Sequence, residues 1–202
     1  MKITSLEPNG IYEEKYPNGQ LSRRCTYTNG KLDGLWEVWN ENGQVAERSN
    51  YKNGKLDGLY EKWYSNGQLH YKKTYKNDNL DGLYEEWYDD GKLRDRFTFN
   101  NGKNDGTFEQ WYINGQLMSF CTYKNGKIEG IDKWWYPNGN MMRQCTYKNG
   151  KKNGVFKKWY KNGQLEKRSH FKNDKLHGVV EEWGDTGYLM DSRNYKNGRR
   201  ID

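Results

Sequence analysis

The sequence predicts an all-β protein, an elongated single-layer antiparallel β-meander built as an array of eight 24-residue β-hairpins. Three observations predict it. Glycine stands at Gly10, Gly34, Gly58, Gly82, Gly106, Gly130, Gly154 and Gly178 with no insertion or deletion between them, and a fixed period of this size marks a repeat array. Tryptophan keeps the same interval at Trp39, Trp63, Trp87, Trp111, Trp135, Trp159 and Trp183. Asn-Gly dipeptides recur between aromatic-rich runs, the strongest short-range hairpin signal.

The third repeat, Gly58 to Asp81, justifies each element in order. LYEKWY and QLHYKKTY are strand-like runs that flank Ser65-Asn66-Gly67, so a strand, a type I′ turn at Asn66-Gly67 and a returning strand are expected. A second turn follows at Asn77-Asp78, where other repeats carry Asn29-Gly30, Asn53-Gly54, Asn101-Gly102, Asn125-Gly126 or Asn149-Gly150. Residues 10–201 are expected to form one continuous domain, with Met1–Asn9 as an N-terminal cap on the exposed strand edge. Repeat eight departs from the pattern, with Gly184 in the tyrosine slot and Thr186-Gly187 for Asn-Gly, as suits the other end of an array.

Charge sets the register. With Asn66 and Gly67 as the two turn residues, Tyr64 faces Leu69, Trp63 faces His70 and Glu61 faces Lys72. The same counting sets Glu13 opposite Arg24, Glu37 opposite Arg48 and Glu85 opposite Arg96, and each such pair stabilises by about 0.2–1 kcal/mol. Alternation then places Tyr60, Tyr64, Leu69, Tyr75 and Leu80 on one face and Leu59, Glu61, Trp63, Lys72 and Thr74 on the other. Neither face is wholly apolar, so aromatic stacking between successive repeats is expected to hold the sheet in place of a dry interior.

Composition agrees with a thin structure. Only 33% of residues are hydrophobic against 30% charged, and the apolar share leans on 17 Tyr and 9 Trp. No stretch approaches the roughly 18 apolar residues of a membrane span, and no signal peptide is evident, so a cytoplasmic chain is expected. Cys25, Cys121 and Cys145 share one slot. Neighbouring copies of that slot lie two strands apart, about 10 Å, too far for a disulfide. His70, His170 and His177 fall at different slots with no metal-ligand spacing, and the carboxylate pairs Glu85-Glu86 and Asp89-Asp90 have no cleft to perturb them. No enzymatic activity, cofactor or metal is expected.

The pattern G-L-Y-E-x-W-Y-x-N-G-Q-L followed by Y-K-N-G-K-L-D-G resembles the variant MORN repeat, over residues 10–201. It is similar above all to the bacterial YwqK-type antitoxin proteins. The resemblance implies a non-enzymatic role: neutralising a toxin, scaffolding proteins, or attaching to anionic lipid headgroups.

Departures from the repeat point to a site. Met118, Phe120 and Met142 replace polar residues on what is expected to be the Glu/Trp face, and Lys133 and Lys157 replace the recurrent glutamate. Residues 130–177 hold twelve Lys plus Arg against three Asp plus Glu, a net of +9, which leaves −2 for the rest of a chain of net charge +7. Together with Arg168 these residues form an expected partner-binding surface for a protein acidic at the contact. The expected function is a protein-binding module, an antitoxin- or immunity-like neutraliser. The alternative is a structural or membrane-peripheral scaffold. For that role Lys31, Lys52, Lys55, Lys76, Lys103, Lys124, Lys127, Lys148, Lys151, Lys172, Lys175 and Lys196 line one set of turns, ready for anionic headgroups. Nucleic acid is disfavoured, because single-strand tracks combine charge with free stacking aromatics, and the aromatics here are committed to packing. The pattern leaves the oligomeric state open.

Overall fold

The computed structural model describes residues 9–202, so the cap expected at Met1–Asn9 lies, Asn9 apart, outside the described residues. Nineteen strands and no helix form among them. The chain divides into two compact units, Met1–Leu93 with Thr98–Lys103, and Arg94–Phe97 with Asn104–Asp202.

In the N-terminal unit the strands are β1 (Asn9–Lys15), β2 (Leu21–Thr28), β3 (Lys31–Trp39), β4 (Val45–Lys52), β5 (Lys55–Trp63), β6 (Leu69–Lys76) and β7 (Asn79–Trp87). Each pairs antiparallel with the next, which makes the unit a meander. Residues of β8 (Leu93–Asn100) contribute to both units. The C-terminal unit continues with β9 (Lys103–Trp111), β10 (Leu117–Lys124), β11 (Lys127–Ile128), β12 (Gly130–Trp135), β13 (Met141–Lys148), β14 (Lys151–Trp159), β15 (Leu165–Lys172), β16 (Lys175–Leu176), β17 (Gly178–Trp183), β18 (Leu189–Lys196) and β19 (Arg199–Arg200). Here β11 and β12 together pair with β10, and β16 and β17 together with β15. The remaining neighbours follow chain order.

The two Asn-Gly turns of a repeat differ, and the first is not the expected type I′ turn. At the second turn Asn53 (φ 52°) and Gly54 (φ 81°) are both left-handed, as type I′ demands. At the first, Gly67 is left-handed (φ 85°) while Asn66 is not. The Gly67 amide donates to the Tyr64 carbonyl at 2.9 Å and the Tyr64 amide to the Gln68 carbonyl at 2.8 Å. That is a three-residue loop, Ser65-Asn66-Gly67, ending in a glycine bulge. The Asn66 side chain accepts the Gln68 amide at 3.0 Å and so holds the loop in shape.

A further bulge restores the charge register. Lys62 pairs with Tyr71 but Trp63 pairs with Leu69, leaving His70 as an extra residue. The expected facings of Tyr64 with Leu69 and Trp63 with His70 are therefore corrected. Between the bulge and the second turn the counting holds: Glu13–Arg24, Glu37–Arg48 and Glu61–Lys72 are directly opposite and form ion pairs at 2.8, 3.0 and 3.7 Å. Ser22, Ala46, Met118, Met142, Glu166 and Met190 occupy the same bulge position.

A bulge residue sits on the same side of the sheet as the residue after it, which moves it to the tyrosine face. His70 stacks on Tyr64 at 4.2 Å and reaches Glu86 at 3.3 Å. Glu166, at the same position, accepts from Lys158 at 2.6 Å. Leu69, opposite Trp63, belongs to the tryptophan face instead of the tyrosine face.

The core is a single row along the tyrosine face. Large side chains alternate with small ones across the strands: Trp36 faces Cys25 and Ser49, and Phe156 faces Cys145 and Ser169. The small residues are the most buried, Cys25 and Cys145 at 1% exposure and Ser49 and Ser169 at 0%. Rings meet mostly inside a repeat, as in Tyr60 with Tyr71 (5.8 Å) and Phe156 with Phe171 (6.2 Å), although Phe97 and Phe108 stack across two repeats at 4.6 Å. Hydrogen bonds supply much of the link between repeats. Tyrosine hydroxyls donate to the next repeat's tryptophan carbonyl, Tyr16 to Trp39, Tyr64 to Trp87, Tyr112 to Trp135, Tyr136 to Trp159 and Tyr160 to Trp183, at 2.7–3.0 Å. At the opposite turns the Gly54 amide donates to the Leu32 carbonyl at 2.7 Å, a bond repeated from Gly150 to Ile128 and from Gly198 to Leu176.

Candidate protein-binding face

The glutamate slot and the residue opposite it run as one row across the strands on the tryptophan face. In the N-terminal unit the row reads Glu13, Arg24, Glu37, Arg48, Glu61, Lys72, Glu85, each directly opposite the next. Signs alternate at every step, so each charge is flanked by its opposite. Arg24 lies over Trp39 and Arg48 over Trp63, both at 5.8 Å from the ring centre, which seals the row against the tryptophans.

In the C-terminal unit the row reads Glu109, Phe120, Lys133, Gln144, Lys157, Arg168, Glu181, Ser192. Four of the expected site residues, Phe120, Lys133, Lys157 and Arg168, thus share one row. Lys157 and Arg168 are directly opposite each other, a like-charge pairing that destabilises a sheet. Arg168 is held by Glu181 at 2.5 Å and lies 5.8 Å over Trp183, whereas Lys133 and Lys157 form no ion pair among the described residues. Both lysines are half-buried.

Met118 and Met142 do not join them. Both are bulge residues, and the bulge directs this position to the tyrosine face, as His70 and Glu166 demonstrate. Two residues that sequence reasoning passed over take their place. Gln144 stands in the row between Lys133 and Lys157, and Met141 pairs with Trp135 beside it. Register counting alone reaches Gln144; Met141 also requires the bulge.

The cationic row lies between an apolar row and a mixed one. Trp135 and Trp159, with Met141 and Leu165 opposite, form one flank. Ile131 (43% exposed) and Val155 lie on the other, with Thr146 and His170 opposite them.

Behind the row, on the tyrosine face, Asp132 occupies the large-residue slot at 4% exposure. Trp134 Nε1 donates to it at 2.8 Å and Arg143 lies 3.4 Å away. Burial nevertheless pushes its carboxyl above the usual range, with Arg143 and Trp134 opposing. Burial raises the flanking thiols too, Cys121 to about 11 and Cys145 in the same direction, so both are protonated at neutral pH. Among the described residues no group of His, Cys, Asp and Glu could hold a metal ion, and no helix is long and apolar enough to cross a membrane.

The lysines flanking the second turns are all exposed. Lys52 faces Lys55, Lys124 faces Lys127, Lys148 faces Lys151 and Lys172 faces Lys175.

No curated protein matches the chain. The family model described as MORN repeat variant matches residues 8–29, 32–53, 56–77, 80–101, 104–125, 128–149 and 152–173. These matches are in phase with the hairpins and stop short of the divergent eighth repeat. With most of its length matched and the strands, turns and period of one repeated hairpin, the chain belongs to the MORN repeat variant family.

Proposed function

We propose that the chain is a non-enzymatic protein-binding module whose tryptophan face, in the C-terminal unit, takes a partner acidic at the contact. The observation that carries this reading is the row Phe120, Lys133, Gln144, Lys157, Arg168, where a like-charge pairing replaces the alternation seen in the N-terminal unit. A sheet has no internal reason to set Lys157 against Arg168; an acidic partner would relieve the conflict and be drawn to it. Neutralisation of that partner, as in YwqK-type antitoxins, is the biological role that fits best.

The test is affinity capture at moderate and high salt, with Lys133→Glu/Lys157→Glu beside the native chain. A stoichiometric acidic protein held by the native chain and lost by the variant is expected. Equal retention by both would refute the site. A second reading rests on the facing lysine pairs of the turns, which suit a scaffold on anionic headgroups. Salt-labile binding to phosphatidylserine vesicles, without any protein partner, would favour that reading.

A further inference from the structure

We infer that the segment docking on this row is an acidic amphipathic α-helix lying across strands β12 to β15, perpendicular to them. The inference rests on the protein-binding reading above and specifies the form of the partner. The face of a sheet has no free backbone donors or acceptors, because its amides are used within the sheet. An extended segment laid on it would leave its own backbone unpaired, whereas a helix arrives with its backbone bonds already made.

The dimensions fit. Lys133 and Lys157 are two strands apart and Arg168 one further, so at about 4.8 Å per strand the cations stand roughly 10 and 14 Å from the first. Glutamates at i, i+7 and i+11 of a helix share one stripe and lie about 10 and 16 Å along its axis. Across the row, the tryptophan flank and the Ile131 flank are two residues to either side, a span of about 13–14 Å at the rise of a strand, which a helix of about 10–12 Å diameter covers. Its stripe would meet Lys133, Lys157 and Arg168, while apolar residues beside the stripe rest on Trp135, Trp159 and Ile131. Phe120 would close the end of the row at which the glutamates stop.

The probe is a synthetic 18-residue helical peptide with Glu at positions 3, 10 and 14 and Leu beside them, together with a scrambled peptide of the same composition. Binding of each to the full chain is read by fluorescence anisotropy at moderate salt. The helix is expected to bind at least about tenfold more tightly than the scramble and to lose that margin on Lys133→Glu/Lys157→Glu, while Lys148→Glu/Lys172→Glu at the turns leaves it intact. Equal affinity for both peptides, or competition by heparin equal to that by the helix, would make the row a general polyanion site and overturn the inference. Failure of either peptide to bind would overturn it as well. Should capture return an acidic protein whose contact segment proves extended, the helix is refuted and the protein-binding reading stands.

Discussion

Over seven strands of the N-terminal unit the central row alternates acid and base, while from Phe120 to Arg168 the C-terminal unit carries no acid in the same row. Turns and bulges are alike in the two, although two strands of the C-terminal unit are interrupted, at Glu129 and at His177. The contrast separates what the fold needs from what it tolerates. Glycines, turn residues and the alternation of large and small residues on the tyrosine face specify the hairpin, and the tryptophan-face row is left open to variation. The N-terminal unit uses the row for its own stability; in the C-terminal unit the Lys157–Arg168 pairing works against the sheet, relieved on the Arg168 side by Glu181.

Substitutions can break or sharpen this contrast, beginning with the scaffold common to both units. A Cβ on Gly58 (φ 119°) would lie 3.0 Å from Asn50 Cβ, and one on Gly154 (φ 117°) 3.3 Å from Thr146 Cβ. Gly58→Ala and Gly154→Ala should each cost about 1–3 kcal/mol in urea unfolding. A loss confined to one unit would mean that the scaffolds are not equivalent. Next in size, Glu61→Lys puts a third cation between Arg48 and Lys72 and should cost about 1–2 kcal/mol.

Asp132 belongs to the C-terminal unit alone, in a slot that holds Trp36, Tyr60 or Phe156 elsewhere. Its carboxyl is raised in the folded state, so the folded chain holds the proton more tightly than the unfolded chain. The group's contribution is most favourable below the unfolded value and is lost as pH rises through the folded one. Asp132→Asn, which can still accept from Trp134, should abolish the part of the stability decline that sets in as pH rises above the ordinary aspartate range. A slope unchanged in the variant would assign the decline to other groups.

The smallest effect has the opposite sign. Lys157→Glu places an acid between Gln144 and Arg168 and should stabilise by about 0.2–1 kcal/mol while weakening partner binding. If it destabilises as Glu61→Lys does, the row of the C-terminal unit is not under internal conflict and the contrast fails.

The period, the strands and the Glu–Arg register were legible because each is repeated many times in the sequence, so one consistent reading had to satisfy every copy. The faces of Met118 and Met142 were not. Asn-Gly serves both a two-residue turn and a three-residue loop closed by a glycine bulge, and the choice depends on backbone angles at Asn66 that no residue pattern announces. The compensating bulge at His70 is invisible for the same reason, and it carries every residue at its slot to the other face. Phe120, Lys133, Lys157 and Arg168 lie beyond the bulge or on the strand that lacks it, and for them simple alternation was enough.

That bulge also constrains how such a chain can change over generations. Gaining or losing one residue between the two turns would exchange the faces of the strand that follows. Such a change within a strand would also shift the tyrosine hydroxyl away from the tryptophan carbonyl 23 residues on. Inheritance in this architecture is therefore counted in copies. A lineage can duplicate or drop a complete hairpin and edit the letters inside it, but drift in strand length is closed to it, and new specificity on the faces has to arise by substitution at fixed spacing.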